Sequence, residues 1–95
     1  MKNGKFNTND VKHTCERKLS IQFRNNKECN GWVIFNNKRL SRLTVPLGRK
    51  PIPPKTYKTM ANQLNLSTDE FDDLLECPLT SDRYFQLLRI RGVIQ

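Results

Sequence analysis

A single histidine, His13, and three cysteines, Cys15, Cys29 and Cys77, are the only imidazole and thiol groups in 95 residues. No two of the cysteines stand at metal-ligand spacing, and an odd number does not close into a disulfide framework. The sequence therefore implies no metal site and no cofactor. It implies buried reduced thiols, as in a cytoplasmic protein. Glycine is as sparse, with Gly4, Gly31, Gly48 and Gly92 scattered along the chain, so no phosphate-cradling glycine loop exists. No apolar run opens the chain or reaches the length of a membrane span, which predicts neither a signal peptide nor a membrane partner.

Catalytic equipment is thin for the same reasons. His13 has Asp10 three residues before it and Glu16 three after. A histidine paired with a carboxylate can act as a general base, but on a helix this spacing is also an ordinary surface contact. The acids Asp69, Glu70, Asp72, Asp73 and Glu76 lack the spacing of a calcium loop, and the first of them suit the positive end of a helix dipole. The sequence leans away from an enzyme and nominates no catalytic residue.

Positive charge is what the chain has in excess. Seventeen Lys and Arg face nine Asp and Glu, a net charge of +8 and a pI near 9.8. Through Lys58 there are 14 basic and 3 acidic residues; beyond it, 3 basic and 6 acidic. Such an asymmetry implies a basic face and an acidic one, and a basic face is the footprint of a nucleic-acid binder.

The residue pattern predicts a single α+β domain over residues 1–95, with residues 1–7 loose. A short helix is expected from Asp10 to Lys18, capped by Thr8 or Asn9. Alternation in Leu19-Ser20-Ile21-Gln22-Phe23-Arg24 reads as a first strand. Trp32–Phe35 and Arg39–Val45 read as two more, turning at Asn36-Asn37-Lys38. Together they predict a three-stranded antiparallel sheet packed by helices. The stretch "TVPLGRKPIPPKTYK", Thr44 to Lys58, carries four prolines and four cations and reads as a stiff connector into a helix starting at Pro54 or Lys55. Tyr57, Met60, Ala61 and Leu64 form its buried stripe, with Asn65 just past its end. Residues 67–91 read as a helical pair: Ser67 and Glu70 form a capping box, Pro78 stops the first helix, and Thr80 or Ser81 caps the second.

If this alternation is a sheet's, Gln22, Arg24, Trp32, Ile34, Arg42 and Thr44 point away from the core, with Lys38 and Arg39 at the hairpin tip. The connector presents Arg49 and Lys50, and the next helix carries Lys55 and Lys58 in its first turns. Cations at a helix N-terminus oppose the dipole, yet suit a site where phosphate binds. Arg24, Trp32, Lys38, Arg39, Arg42, Arg49, Lys50, Lys55 and Lys58 are accordingly the candidate nucleic-acid-binding residues, with the tryptophan able to stack on a base.

The order of helix and strands, with "LTVPLGRKPIPPKTYKTMANQLNLS", resembles the HicA-type RNA-cleaving toxins over Val11 to Leu75, most specifically over Leu43 to Leu66. Thr44, Val45 and Pro46 match that family's strand end and Thr56 its helix-start threonine. The resemblance implies a double-stranded-RNA-binding-domain-like α-β-β-β-α fold, here with extra C-terminal helices. It does not carry activity over, because the family's catalytic histidine has no counterpart in Cys29-Asn30-Gly31-Trp32-Val33. In such domains lysines at the second helix's N-terminus grip phosphates, the position of Lys55 and Lys58.

The expectation is a non-catalytic nucleic-acid-binding module, RNA favoured over DNA, that recognises backbone and shape. The alternatives are a protein-interaction module of the toxin–antitoxin or phage-inhibitor type, using the acidic C-terminal helices, and a ribonuclease toxin with an atypical active site.

Overall fold

Asn7 starts the first helix by a reciprocal exchange. Its side chain accepts from the Asp10 amide at 3.0 Å, and Asp10 accepts from the Asn7 amide at 2.9 Å, so two otherwise unpaired N–H groups are satisfied. α1 therefore spans Thr8–Leu19, two residues earlier than the sequence suggested. Thr8 is buried rather than capping. Val11, Cys15 and Leu19, four residues apart, make the buried stripe, and Ser20 ends the helix with a left-handed φ of 54°. The structure is a computed structural model that describes residues 1–25, 28–46, 48–76 and 78–93. Cys77, one of the three thiols, lies outside the described residues.

The expected three-stranded sheet does not form. Its first strand was read from the alternation of Leu19, Ile21 and Phe23, but Leu19 closes the stripe of α1 and residues 20–23 make no ladder. Only a two-residue rung, β1 (Arg24–Asn25), pairs with the next strand. The sheet is in substance a two-stranded antiparallel hairpin of β2 (Glu28–Phe35) and β3 (Lys38–Pro46). The α+β class stands; the double-stranded-RNA-binding-domain-like arrangement of three full strands does not. A different contact produced the misleading period: Ile21 is buried against Gly31, where an added Cβ would lie 2.3 Å from Ile21 Cγ2.

Asn36 and Asn37, at φ of 51° and 64°, turn the hairpin in the conformation that asparagine tolerates best. Pairing then jumps from Ile34↔Arg39 to Val33↔Ser41, leaving Leu40 as an extra residue on β3. Such a bulge shifts side-chain parity by one. As a result Arg39, opposite Ile34, joins Arg42, opposite Trp32, on one face. Val33, Leu43 and Val45 fill the other face and are fully buried.

α1 and α2 (Pro54–Gln63) pack against β3, α3 (Thr68–Glu76) packs on α1 and α2, and Phe85 of α4 (Ser81–Ile90) meets Phe35 of β2 with ring centroids 5.2 Å apart. α2 starts with Pro54 in its first turn and buries Tyr57, Met60 and Ala61; Asn65 follows it at φ 62°. Ser67 and Glu70 exchange backbone-to-side-chain bonds at the start of α3, at 2.8 and 3.2 Å. Tyr84 of α4 donates to the Leu64 carbonyl at 3.0 Å. The outer edge of β3 is covered as well: the Thr44 amide donates to Gln63 Oε1 at 3.0 Å and Asn65 Nδ2 to Ser41 Oγ at 2.8 Å, which blunts an exposed strand edge.

The proline connector is tied to the start of α1. Thr8 donates its hydroxyl to the Gly48 carbonyl and accepts from the Lys50 amide at 3.0 Å, while its own amide donates to the Lys50 carbonyl at 2.9 Å. Ile52 is buried in the core, so the stiff segment has a folding role besides carrying charge. The stretch read as loose, residues 1–7, makes definite contacts: Lys2 N to Asp72 at 3.0 Å, Asn3 Nδ2 to the Ile52 carbonyl at 3.0 Å, and a bridge between Asn7 and Pro51. Among the described residues no helix is long and apolar enough to cross a membrane.

Candidate nucleic-acid interface

The face of the hairpin turned away from the core carries Asn30, Trp32 and Ile34 from β2, and Thr44, Arg42 and Arg39 from β3. Trp32 is 36% exposed and Ile34 54%. The Arg39 guanidinium lies over the indole, with Cζ 5.3 Å from the ring centroid, a cation–π arrangement worth about 0.5–1 kcal/mol at an exposed site. Without the bulge at Leu40, alternation would have put Arg39 on the core side. Arg24, on β1, stands opposite Asn30 and closes the third side of the group.

Between these side chains runs a groove of about 370 Å³ lined by Gln22, Phe23, Arg24, Asn30, Trp32, Ile34 and Arg39. Thr44 Oγ1 donates to Asn30 Oδ1 at 2.8 Å, fixing that amide. Asn30 Nδ2 reaches a protein acceptor only at 3.5 Å, so it keeps capacity to donate elsewhere. The lining contains two arginines, two amides, two aromatic rings and an isoleucine, and no carboxylate.

The remaining candidates stand on other elements. Lys38 follows the turn and is exposed. Arg49 and Lys50 line a second, open depression with Lys5, Phe6 and Asn7. Lys55 and Lys58 are exposed on the first turns of α2, whose start has no side-chain cap and no acid. Because α2 packs into the core lined by the inner face of the hairpin, the sheet separates these two lysines from the Trp32 group. Structure thus unites Arg24, Trp32, Arg39 and Arg42, and leaves the connector and α2 cations as separate groups.

Availability distinguishes these cations from Lys2, Lys5 and Arg91. Lys2 and Lys5 pair with Glu76, and Arg91 pairs with Glu70 at 2.5 Å. Among the described residues no ion pair involves Arg24, Lys38, Arg39, Arg42, Arg49, Lys50, Lys55 or Lys58. The hydrogen bond from Arg91 holds the Glu70 carboxyl below its ordinary range, and those from Lys2 and then Lys5 do the same for Glu76. Asp72 is buried beneath the Tyr57 hydroxyl. The acidic helix offered by the sequence to a protein partner is therefore largely engaged within the molecule; Asp69 is exposed yet 3.9 Å from the Met1 ammonium, and Asp73 is exposed.

His13 is exposed on α1, and Asp10, one of the two carboxylates three residues from it, is committed to the Asn7 cap. Among the described residues no group of His, Cys, Asp and Glu is arranged to hold a metal ion. Four groove residues are not among the binding candidates drawn from the sequence: Gln22, Phe23, Asn30 and Ile34. Phe23 had been placed in the core by its alternation with Ile21, and Asn30 acquires its position only from the strand register. Compared with known proteins, the chain matches no family model, no curated protein and no solved structure.

Proposed function

We propose that this chain is a nucleic-acid-binding module that does not cleave its target, takes RNA before DNA, and recognises backbone and shape rather than base sequence. The observation that carries the reading is the set of exposed arginines around Trp32, Arg24, Arg39 and Arg42, none of them paired with a carboxylate among the described residues. A guanidinium without a carboxylate partner can bind phosphate in a two-pronged fashion without first breaking an ion pair. Arg49, Lys50, Lys55 and Lys58 are equally available to a strand that continues around the molecule. RNA is put first because Leu43–Leu66, the stretch that resembles the HicA-type toxins, comprises the end of β3, the connector and α2.

The test is a salt series on duplex RNA, single-stranded RNA and duplex DNA, with cleavage followed on the same gels. With about five cations on phosphates, the logarithm of affinity falls against the logarithm of salt with a slope of about −3 to −5, and every strand stays intact. A flat salt response contradicts the reading.

A further inference from the structure

We infer that the groove beside Trp32 is a base-stacking subsite for an unpaired segment of nucleic acid. This rests on the nucleic-acid reading above and adds to it the class of strand: single-stranded, or locally melted, rather than fully paired.

Gripping a duplex backbone requires only cations. The outer face of this hairpin also leaves an indole 36% exposed and an isoleucine 54% exposed beside the half-buried ring of Phe23, apolar surface that a phosphate cannot use. A nucleobase can, because it has two apolar faces and a polar rim. Its faces match the indole and Phe23, its rim matches the spare donor of Asn30 Nδ2, and the flanking phosphates match Arg24, Arg39 and Arg42. At about 370 Å³ the groove is at the small end of ligand pockets, in keeping with one nucleotide and not with a helix. Its lining contains no carboxylate to repel the backbone. A paired strand keeps its bases stacked inside and presents none to this face.

Trp32 is the only tryptophan in the chain, so its fluorescence reports on the groove alone. The experiment titrates the protein with oligouridylate, with duplex RNA of equal length, and with an abasic strand carrying the same number of phosphates. The expected result is quenching of Trp32 emission by oligouridylate and an affinity about 5- to 100-fold above that for the abasic strand. Trp32→Ala abolishes the preference for the base-bearing strand over the abasic one, and Trp32→Phe keeps most of it. Equal affinity of the unmodified protein for base-bearing and abasic strands, without quenching, overturns the inference and leaves the nucleic-acid reading in place. This arm decides even if a Trp32 variant fails to fold. Absence of binding to every strand overturns both.

Discussion

The Tyr57 hydroxyl on α2 donates to the Asp72 carboxylate on α3 at 2.5 Å, and neither group is open to water: the tyrosine is 0% and the aspartate 4% exposed. The Lys2 amide supplies a second donor to the same carboxylate at 3.0 Å. A buried carboxylate is costly unless its lone pairs are satisfied. Tyr57→Phe is thus expected to lower stability by about 1–3 kcal/mol, read as a lower urea midpoint at unchanged slope. An unchanged midpoint would show that the phenol contributes nothing there.

The same burial sets an alkaline limit. Burial first, and then Asp72, raise the Tyr57 pKa; burial raises that of Tyr84, and pushes the Cys15 thiol up to about 12. In the unfolded chain these groups lose their protons near their ordinary values, about 10 for tyrosine and 8.5 for cysteine. The folded state therefore binds more protons over this range, and stability falls as pH rises through 9 to 11. Urea unfolding at pH 8, 9, 10 and 11 checks the trend.

At the acid end the sign reverses. Glu70 and Glu76 have lowered folded-state pKa values, so they stabilise the fold above their unfolded pKa and lose that contribution as pH falls through the folded one. Stability is expected to decline below about pH 4.5. Arg91→Ala should remove most of the Glu70 part, no more than about 1 kcal/mol at neutral pH for a partly exposed pair, and flatten the acid limb correspondingly.

Gly31→Ala tests the packing that replaced the expected strand. The new methyl would meet Ile21 Cγ2 at 2.3 Å, Phe23 Cδ1 at 3.0 Å and the Gln22 carbonyl oxygen at 3.2 Å. The isoleucine is itself enclosed, so the segment has to shift as a whole. A loss of about 1–3 kcal/mol is expected, and adding Ile21→Ala, which removes Cγ2, should make the combined loss smaller than the sum of the two single losses. An additive double mutant would argue against direct contact.

Arg39→Glu with Arg42→Glu should lower the salt slope of RNA binding by about 1.5–2 and leave the melting temperature within a few degrees, since both side chains are exposed. Lys55→Glu with Lys58→Glu should weaken binding too, by less, because α2 holds them on the other side of the sheet. The reverse ranking would move the centre of the interface from the hairpin to α2.

Local chemistry alone determined much of this molecule. The Ser67–Glu70 capping box, the proline start of α2, the Asn36-Asn37 turn and the stripe Tyr57, Met60, Ala61 all depend on neighbours within a few residues, and a single sequence displays such neighbours directly. The segment 19–23 shows where that stops. Its period of two is compatible with a strand, yet Leu19 had a helix stripe to complete and Ile21 had the surface left open by Gly31, a residue ten positions away. Likewise the excess of positive charge was legible, but not its division among hairpin, connector and α2. Arg39 stands over Trp32 because one extra residue, Leu40, bulges out of β3. Register and bulge are properties of two strands together, so the tertiary structure decided which of the available cations share a face with the one tryptophan.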